Sequence, residues 1–404
     1  MINLETPRKF AGLVGQAHQV ATEVFRPISR KYDLAEHEYP KELDMLASLI
    51  DGMNAGSDVG GAGAAGVKRD AAAKDDGANR NGTNLSTVLG IMELCWGDVG
   101  LLLSMPRQGL GNSAIASVAT PEQLERYEGR WAAMAITEPE AGSDSAAIRT
   151  TAVLDGEEYV LNGEKIYVTS GERADLVVVW ATLDRSKGRA AIKSFVVERS
   201  NPGLKLDRLE HKLGIRASDT AAFRLEDCRV SKTDMLGSPE INVKGGFGGA
   251  MQTFDNTRPL VAGMAVGLTR ACLEETRGWL EQAGVEIDYD APALTQHAAA
   301  ARYLALEADY EAARLLTLQA AWMADNSKPN SLQASMAKAK AGRTCVNVAL
   351  ECVELCGSLG YGEGGLLEKW ARDAKILDIF EGTQQIQLLI VARLLLGKTS
   401  AELR

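Results

Sequence analysis

Residues 371–387 read Ala-Arg-Asp-Ala-Lys-Ile-Leu-Asp-Ile-Phe-Glu-Gly-Thr-Gln-Gln-Ile-Gln. Apolar residues at helical spacing (Ile376, Leu377, Ile379, Phe380) run directly into Glu381-Gly382-Thr383. Ile386, Leu388, Leu389 and Val391 then restart an apolar pattern. This predicts two apolar helices joined by a turn broken at Gly382. A carboxylate beside Phe380 on such a turn has its charged form disfavoured, which makes it a stronger base than a solvated one. Gly382 would let another molecule approach the backbone closely. Taken locally, the stretch also fits a surface Glu followed by a C-capping Gly.

Working outward, long helical periodicity holds from about residue 245 to the C-terminus. Leu268, Cys272, Leu273 and Trp279 belong to one helix, and Leu304, Leu306, Ala312, Leu315, Leu316 and Leu318 to the next. Two more are expected around 332–356 and 368–397, and four helices suggest a bundle. Upstream the period changes. Tyr159–Leu161, Leu176–Trp180, Ser194–Val197 and Ala221–Leu225 are short, β-branched or aromatic runs. Turn pairs such as Asp155-Gly156 and Asn162-Gly163 separate them, as in an antiparallel sheet. Before that, Leu13, Val20, Val24 and Ile28, then Leu43, Leu46 and Ile50, recur at helical spacing. Residues 52–84 are rich in Gly and Ala with few large apolar side chains, and read as an irregular surface loop. The expected class is therefore α+β. It comprises an N-terminal helical domain (1–130), a middle antiparallel β-domain (131–240) and a C-terminal four-helix bundle (241–404).

Composition narrows the function. The chain has 404 residues, 46% hydrophobic and 24% charged, ordinary for a globular protein. Its net charge of −10 argues against a nucleic-acid partner. It does not exclude an anionic ester, which needs only a few local cations. The N-terminus carries no signal-peptide pattern, and no apolar run is long enough to span a membrane. Six cysteines without a C-x-x-C pair fit a reduced, cytoplasmic setting. His18, His37, His211 and His297 are scattered, so no metal site is expected.

A second stretch carries chemistry. Residues 135–147 read Ala-Ile-Thr-Glu-Pro-Glu-Ala-Gly-Ser-Asp-Ser-Ala-Ala. Gly142 permits close backbone approach, and Thr137 and Ser143 add hydroxyls at a strand end, so the turn could cradle a pyrophosphate. An ordinary Pro-Glu-Ala-Gly turn is the plainer reading of these residues alone. The stretch resembles the flavin-binding signature of the acyl-CoA dehydrogenase family, and the Glu381 segment resembles that family's catalytic-base turn. Leu161–Gly171, His211–Thr220 and Phe254–Pro259 are also similar to family segments, and all five come in the family's order. The resemblance covers residues 134–391 and fades before them. The helix, sheet, four-helix order is the family's architecture too.

The resemblance implies α,β-dehydrogenation of an acyl-CoA to the trans-2-enoyl-CoA, with Glu381 as α-proton base and FAD taking hydride at N5. It implies flavin contacts from Met134, Ile136, Thr137, Gly142, Ser143, Tyr167, Thr169, Thr383 and Gln385. Substrate contacts are implied for Ser143, Asp255, Arg258 and Gly382, with the Glu381 N–H on the thioester oxygen. Some relatives carry the base at the position of Thr257, whose hydroxyl cannot serve. Met134 stands where relatives often have an aromatic, and Tyr167 where they often have Trp. An electron-transfer flavoprotein is the implied acceptor, and the implied assembly is a homotetramer or an α2β2 heterotetramer with a paralogous chain.

Two family features are absent. The Arg-x-x-Phe-Gly loop that serves a neighbouring subunit's flavin is replaced by Gln282–Asp290, with no basic residue and with Glu286, Asp288 and Asp290. The Gln-x-x-Gly-Gly motif is replaced by Glu354-Leu355-Cys356-Gly357-Ser358. A homotetramer with a weakened site and a heteromeric enzyme both fit these losses. A structural subunit and an acyl-CoA oxidase stand as alternatives, whereas a DNA-binding relative is disfavoured by the acidic charge.

Overall fold

The computed structural model describes residues 6–54, 80–107, 110–241, 248–399 and 402, without the side chains of 49–54 and 248–256. The N-terminal region is helical: α1 (Ala11–Val20), α2 (Arg26–Leu34), α3 (Glu42–Asn54), α4 (Thr83–Gly97), α5 (Val99–Leu103), α6 (Leu110–Val118) and α7 (Pro121–Arg126). A π-helical turn, Ala21–Phe25, links α1 to α2. Local sequence explains the short members. Thr120 and Gln123 form a reciprocal capping box with Pro121 in the first turn of α7. Asp98 caps α5 by accepting from Leu101 N at 2.8 Å.

Both ends of the stretch expected as a loop at 52–84 are helical. α3 continues through Asn54 and α4 begins at Thr83, while residues 55–79 lie outside the described residues. The start of α4 is capped from a distant element. Asp325 accepts from Gly82 N (2.7 Å), Asn84 N (2.9 Å) and Leu85 N (3.1 Å). These are donors a helix start leaves unpaired, and Gly82 has no side chain to pair them itself.

The middle sheet comprises β1 (Ala132–Ala135), β2 (Thr151–Asp155), β3 (Glu158–Thr169), β4 (Leu176–Thr182), β5 (Ile192–Glu198), β6 (Leu204–Leu209), β7 (Thr220–Ser231) and β8 (Met235–Leu236). Its order is β6-β7-β3-β2-β4-β5-β8, with β1 beside β4. Pairing is mostly antiparallel, but β1 and the start of β2 run parallel to β4. β4 is buried along its whole length, which explains its unbroken apolar run. Asp155-Gly156 is a hairpin turn as expected. Asn162-Gly163 is not a turn. It lies inside β3, where the register against β7 shifts between Leu161 and Gly163. Gly163 there has φ +153°, and a Cβ would sit 2.5 Å from Thr150 Oγ1, so the glycine serves close packing at a bulge.

The C-terminal region contains α8 (Gly248–Gln282), α9 (Ala298–Asp325), α10 (Ser331–Tyr361), α11 (Leu367–Leu377) and α12 (Gln384–Leu396). The fourth bundle segment expected at 368–397 is thus two helices, separated at the Glu381 turn as the break at Gly382 implied. One apolar core joins α4 to this region through Val88, Met92, Leu260, Val266, Leu268, Cys345 and Trp370. α4 and α8 touch backbone to backbone at Gly267, where a Cβ would meet Met92 O at 2.2 Å. α11 is fixed by buried charge. Lys369 pairs with Asp98 of the N-terminal region and, at 2.6 Å, with Asp373. Arg372 reaches Asp33 of α2 at 2.6 Å, and Asp373 accepts from Ile215 N at 2.5 Å. These bonds hold the helix from which the Glu381 turn departs.

Candidate active site

α11 ends at Leu377, and one further turn follows through the bond from Phe380 N to Ile376 O at 3.0 Å. Glu381 then adopts φ +53°, a backbone region in which a non-glycine residue is uncommon, and Gly382 follows at φ +96°. The paired left-handed residues turn the chain into α12, whose start Thr383 caps by accepting from Ile386 N at 3.4 Å. Gln387, fully buried, donates to Glu381 O (3.1 Å) and Gly382 O (3.3 Å). Lys338 of α10, also buried, donates to Gly382 O at 2.6 Å. A strained turn is therefore held by two side chains from outside its own backbone.

Glu381 is half-buried, and its carboxylate is partly shielded as the apolar flanks implied. Glu381 Oε2 is buried and has no hydrogen-bond partner among the described residues. Burial pushes the Glu381 carboxyl above the ordinary carboxylate range, while the Thr257 hydroxyl and the charges of Lys338 and Arg258 act in the opposite sense. Burial also pulls the Lys338 ammonium down to about 8, against the attraction of Glu381 and Asp378. Thr257, at the position where some relatives carry a base, here serves Glu381 as a hydrogen-bond partner. Arg258 is buried near the carboxylate. The side chain of Asp255 lies outside the described residues. Gln385 is exposed at the start of α12.

The second group of expected residues lies on β1, its following turn and β3. Met134 and Ile136 are half-buried and pack against Ala141, Ile148, Trp180 and Ile192. Glu138 and Ala141 bond reciprocally across Pro139-Glu140, leaving Gly142 and Ser143 exposed beyond the turn. Thr137 O accepts from Ile166 N at 2.9 Å, which lays the segment along β3. The register against β7 shifts again between Lys165 and Val168, and there Tyr167 takes φ +58°. Its ring is 62% exposed, so this aromatic is presented outward rather than packed as strand filler. Thr169 ends the strand, half-buried.

Lys165 and Glu138 were not anticipated as site residues. Lys165 is fully buried and donates to Glu138 Oε1 (2.7 Å) and to Ile136 O (3.1 Å). Glu138 also accepts from Arg149 N (2.5 Å), Thr150 N (3.0 Å) and Thr150 Oγ1 (2.5 Å). Burial would raise the Glu138 carboxyl, but Lys165 and these donors outweigh it and hold the pKa below the ordinary range. Burial pulls Lys165 down to about 8, which still leaves it charged at neutral pH beside Glu138. The pair clamps the turn carrying Thr137, Gly142 and Ser143 to β3. Lys338 and Gln387 were missed as well. For Lys338 a signal existed, since it falls in helical phase with the buried residues Ala334, Ala337, Ala341 and Cys345.

The Glu381 group and the Thr137–Thr169 group sit on different elements. The chain between β6 and β7 connects them, since Asp219 O accepts from Ser170 N at 3.0 Å and Ile215 N meets Asp373 of α11. At the missing family motifs, Glu354 is not an isolated acid. Arg302 pairs with it at 3.1 Å and also with Glu351. The loop replacing the Arg-containing motif has Arg277 5.7 Å from the Tyr289 ring, and no basic residue lies between Gly278 and Ala301 other than His297.

Comparison with known proteins finds relatives of this chain. The acyl-CoA dehydrogenase middle domain matches residues 133–228, and the acyl-CoA dehydrogenase C-terminal domain matches 244–396. The short-chain specific acyl-CoA dehydrogenase of Clostridium acetobutylicum is 34% identical over 320 residues, 77% of this chain and 82% of that protein. The mitochondrial short-chain specific enzyme of Mus musculus is 38% identical over 258 residues, so the match spans 64% of this chain and only 61% of that enzyme. The solved butyryl-CoA dehydrogenase of Megasphaera elsdenii superposes with a TM-score of 0.82 at 29% identity, over 98% of this chain and 100% of that one. The chain belongs to the acyl-CoA dehydrogenase family, whose members are FAD-dependent oxidoreductases.

Proposed function

We propose that this protein dehydrogenates an acyl-CoA thioester between its α and β carbons, with Glu381 as the base that removes the α-proton. The observation that carries this reading is the solvent-shielded Oε2 of Glu381, without a hydrogen-bond partner among the described residues, on a turn held at φ +53°. A base for a weakly acidic carbon must bind a proton well and must not spend its lone pairs on other donors. Burial supplies the first property, and Thr257 with Lys338 limits the shift so that the carboxylate can still ionise. Lys338 and Gln387 bond to the turn's carbonyls. They thereby orient the carboxylate and leave the Glu381 N–H as a donor for a thioester oxygen.

The residues present fit FAD. Tyr167 offers an exposed aromatic face on a bulge, and Gly142 and Ser143 lie open on a turn clamped by Glu138 and Lys165. Thr137 and Thr169 flank that turn, and Thr383 and Gln385 follow the base. When bound, FAD supplies the hydride-accepting N5. The names of the relatives make a short acyl-CoA the first substrate to try. Bleaching of the flavin absorbance by butyryl-CoA under anaerobic conditions tests the reading, and no bleaching by any acyl-CoA from short to long would overturn it. Ser143→Ala should weaken both FAD retention and CoA-ester binding, measured by flavin content and by spectral titration. Unchanged values would remove Ser143 from both sites.

For the reduced flavin we propose an electron-transfer flavoprotein as acceptor and a cytoplasmic location. No described helix is long and apolar enough to cross a membrane. We further propose that the chain works in a tetramer, and that a paralogous chain completes it as α2β2. Leu388, Leu389, Leu394, Leu395 and Leu396 leave much of α12 exposed and apolar, as an assembly surface would be. The loop at 282–297 supplies acids where the family places an Arg, so this chain is a poor donor to a neighbour's diphosphate. Expressed alone, it should retain well under one FAD per chain, and a paralogue carrying Arg-x-x-Phe-Gly should restore binding. A homotetramer with one FAD per chain, purified without a partner, would refute the α2β2 assembly.

A further inference from the structure

His37 and His211 are distant in sequence, and their scatter gave no reason to expect a metal. Folding brings them together. His37 follows α2, and His211 lies on the connection from β6 to β7. Their ring centroids are 5.0 Å apart. Glu36 joins them, with Oε2 2.9 Å from His211 Nδ1 and Oε1 accepting from Lys212 N at 2.9 Å. One donor atom from each of the three residues lies within 4.8 Å of the others.

His37 is unusual on two independent counts. Its backbone sits at φ +74°, in the left-handed region that side-chain-bearing residues rarely enter. Both of its ring nitrogens are buried without a hydrogen-bond partner among the described residues. A neutral imidazole has one N–H and one lone pair, and buried polar atoms of this kind are normally paired. Here a strained backbone holds an unpartnered imidazole against a second imidazole and a carboxylate. Two imidazoles and one carboxylate form a donor set suited to Zn²⁺ and its divalent transition-metal neighbours, with a position left for water.

We propose that Glu36, His37 and His211 form a binding site for a divalent transition cation at the junction of the N-terminal helices and the β-domain. Glu36 can ligate through Oε2 while Oε1 keeps its bond from Lys212 N, which orients the carboxylate as an outer partner would. The cations nearby are engaged elsewhere, since Lys212 Nζ donates to Ser218 O at 2.8 Å and Arg216 Nε to Lys212 O at 2.9 Å. An ion here would join the segment after α2 to the connection that also contacts α11.

The test uses the full-length protein, stripped with EDTA and then dialysed. Titration with Zn²⁺ by calorimetry and with Co²⁺ by visible absorption should give one site per chain. His37→Asn keeps a residue that tolerates the left-handed backbone, and His211→Gln alters an exposed side chain, so both should fold. Each should weaken Zn²⁺ at least about tenfold, the lower bound for losing even an outer partner of a metal site. His18→Gln and His297→Gln should bind as wild type. Absence of a stoichiometric site in the wild type, or wild-type affinity in His211→Gln, would overturn the proposal.

Discussion

Glu381→Gln should retain its flavin and lose flavin reduction by acyl-CoA, with the reductive rate falling roughly 10²–10⁴-fold, the usual contribution of a general base. The amide preserves the shape of the turn and the bonds from Gln387 and Lys338, so cofactor content should not change. In the wild type only ionised Glu381 accepts a proton, so the reductive rate should rise with pH through a pKa above the ordinary carboxylate range. The same shift has a thermodynamic sign. A carboxyl whose folded pKa is raised contributes stability that is fully present below its unfolded value, and loses it as pH rises through the folded value. At neutral pH the ionised group is thus a burden on the fold, and Glu381→Gln should melt above the wild type. Stopped-flow reduction and thermal melts across pH examine both statements. A variant that reduces its flavin at the wild-type rate would remove Glu381 from the base role.

Lys165→Met should be strongly destabilising. It leaves Glu138 buried with its charge uncompensated, and breaking a buried pair by removing one partner costs about 3–5 kcal/mol. That corresponds to a fall in melting temperature of about 4–6 °C for a chain of this size unfolding as one unit. Because Glu138 also holds Arg149 and Thr150, the turn bearing Thr137 and Ser143 should loosen, and FAD should dissociate more readily. The double variant Lys165→Met with Glu138→Gln restores neutrality while keeping an acceptor for the two backbone N–H groups, and should recover part of the loss. Equal melting temperatures for wild type and Lys165→Met would show that the clamp contributes nothing.

The sequence made the architecture legible where pattern and geometry share a period. The apolar run of β4, the helical spacing in α8 and α9, and the break at Gly382 could be read directly. Asn162-Gly163 misled because that dipeptide suits a hairpin turn and a strand bulge alike, and only the closeness of Thr150 distinguishes them. β2, β6 and β8 escaped notice because they are short or exposed along one side, so they lack a strong alternating pattern. Within the site, Glu381 was visible because it sits in a local pattern. Lys338, Gln387 and the Glu138–Lys165 clamp were not, because their meaning lies in contacts between elements distant in sequence. The same holds for Glu36, His37 and His211. Conversely, Glu354 looked more adverse in sequence than in space, where Arg302 pairs with it.

The cap that Asp325 places on α4 bears on how this chain can vary. The helix start takes its donors' partners from α9 rather than from the residues that precede it. Its register is consequently uncoupled from the length and composition of the preceding stretch. Insertions, deletions or compositional drift before Arg80 could accumulate without rotating α4 or, through Gly267, displacing α8 and the Thr257–Arg258 pair that it carries. One carboxylate thus fixes where α4 starts, a local anchor that would let the preceding stretch vary while the helices after Gly82 keep their register.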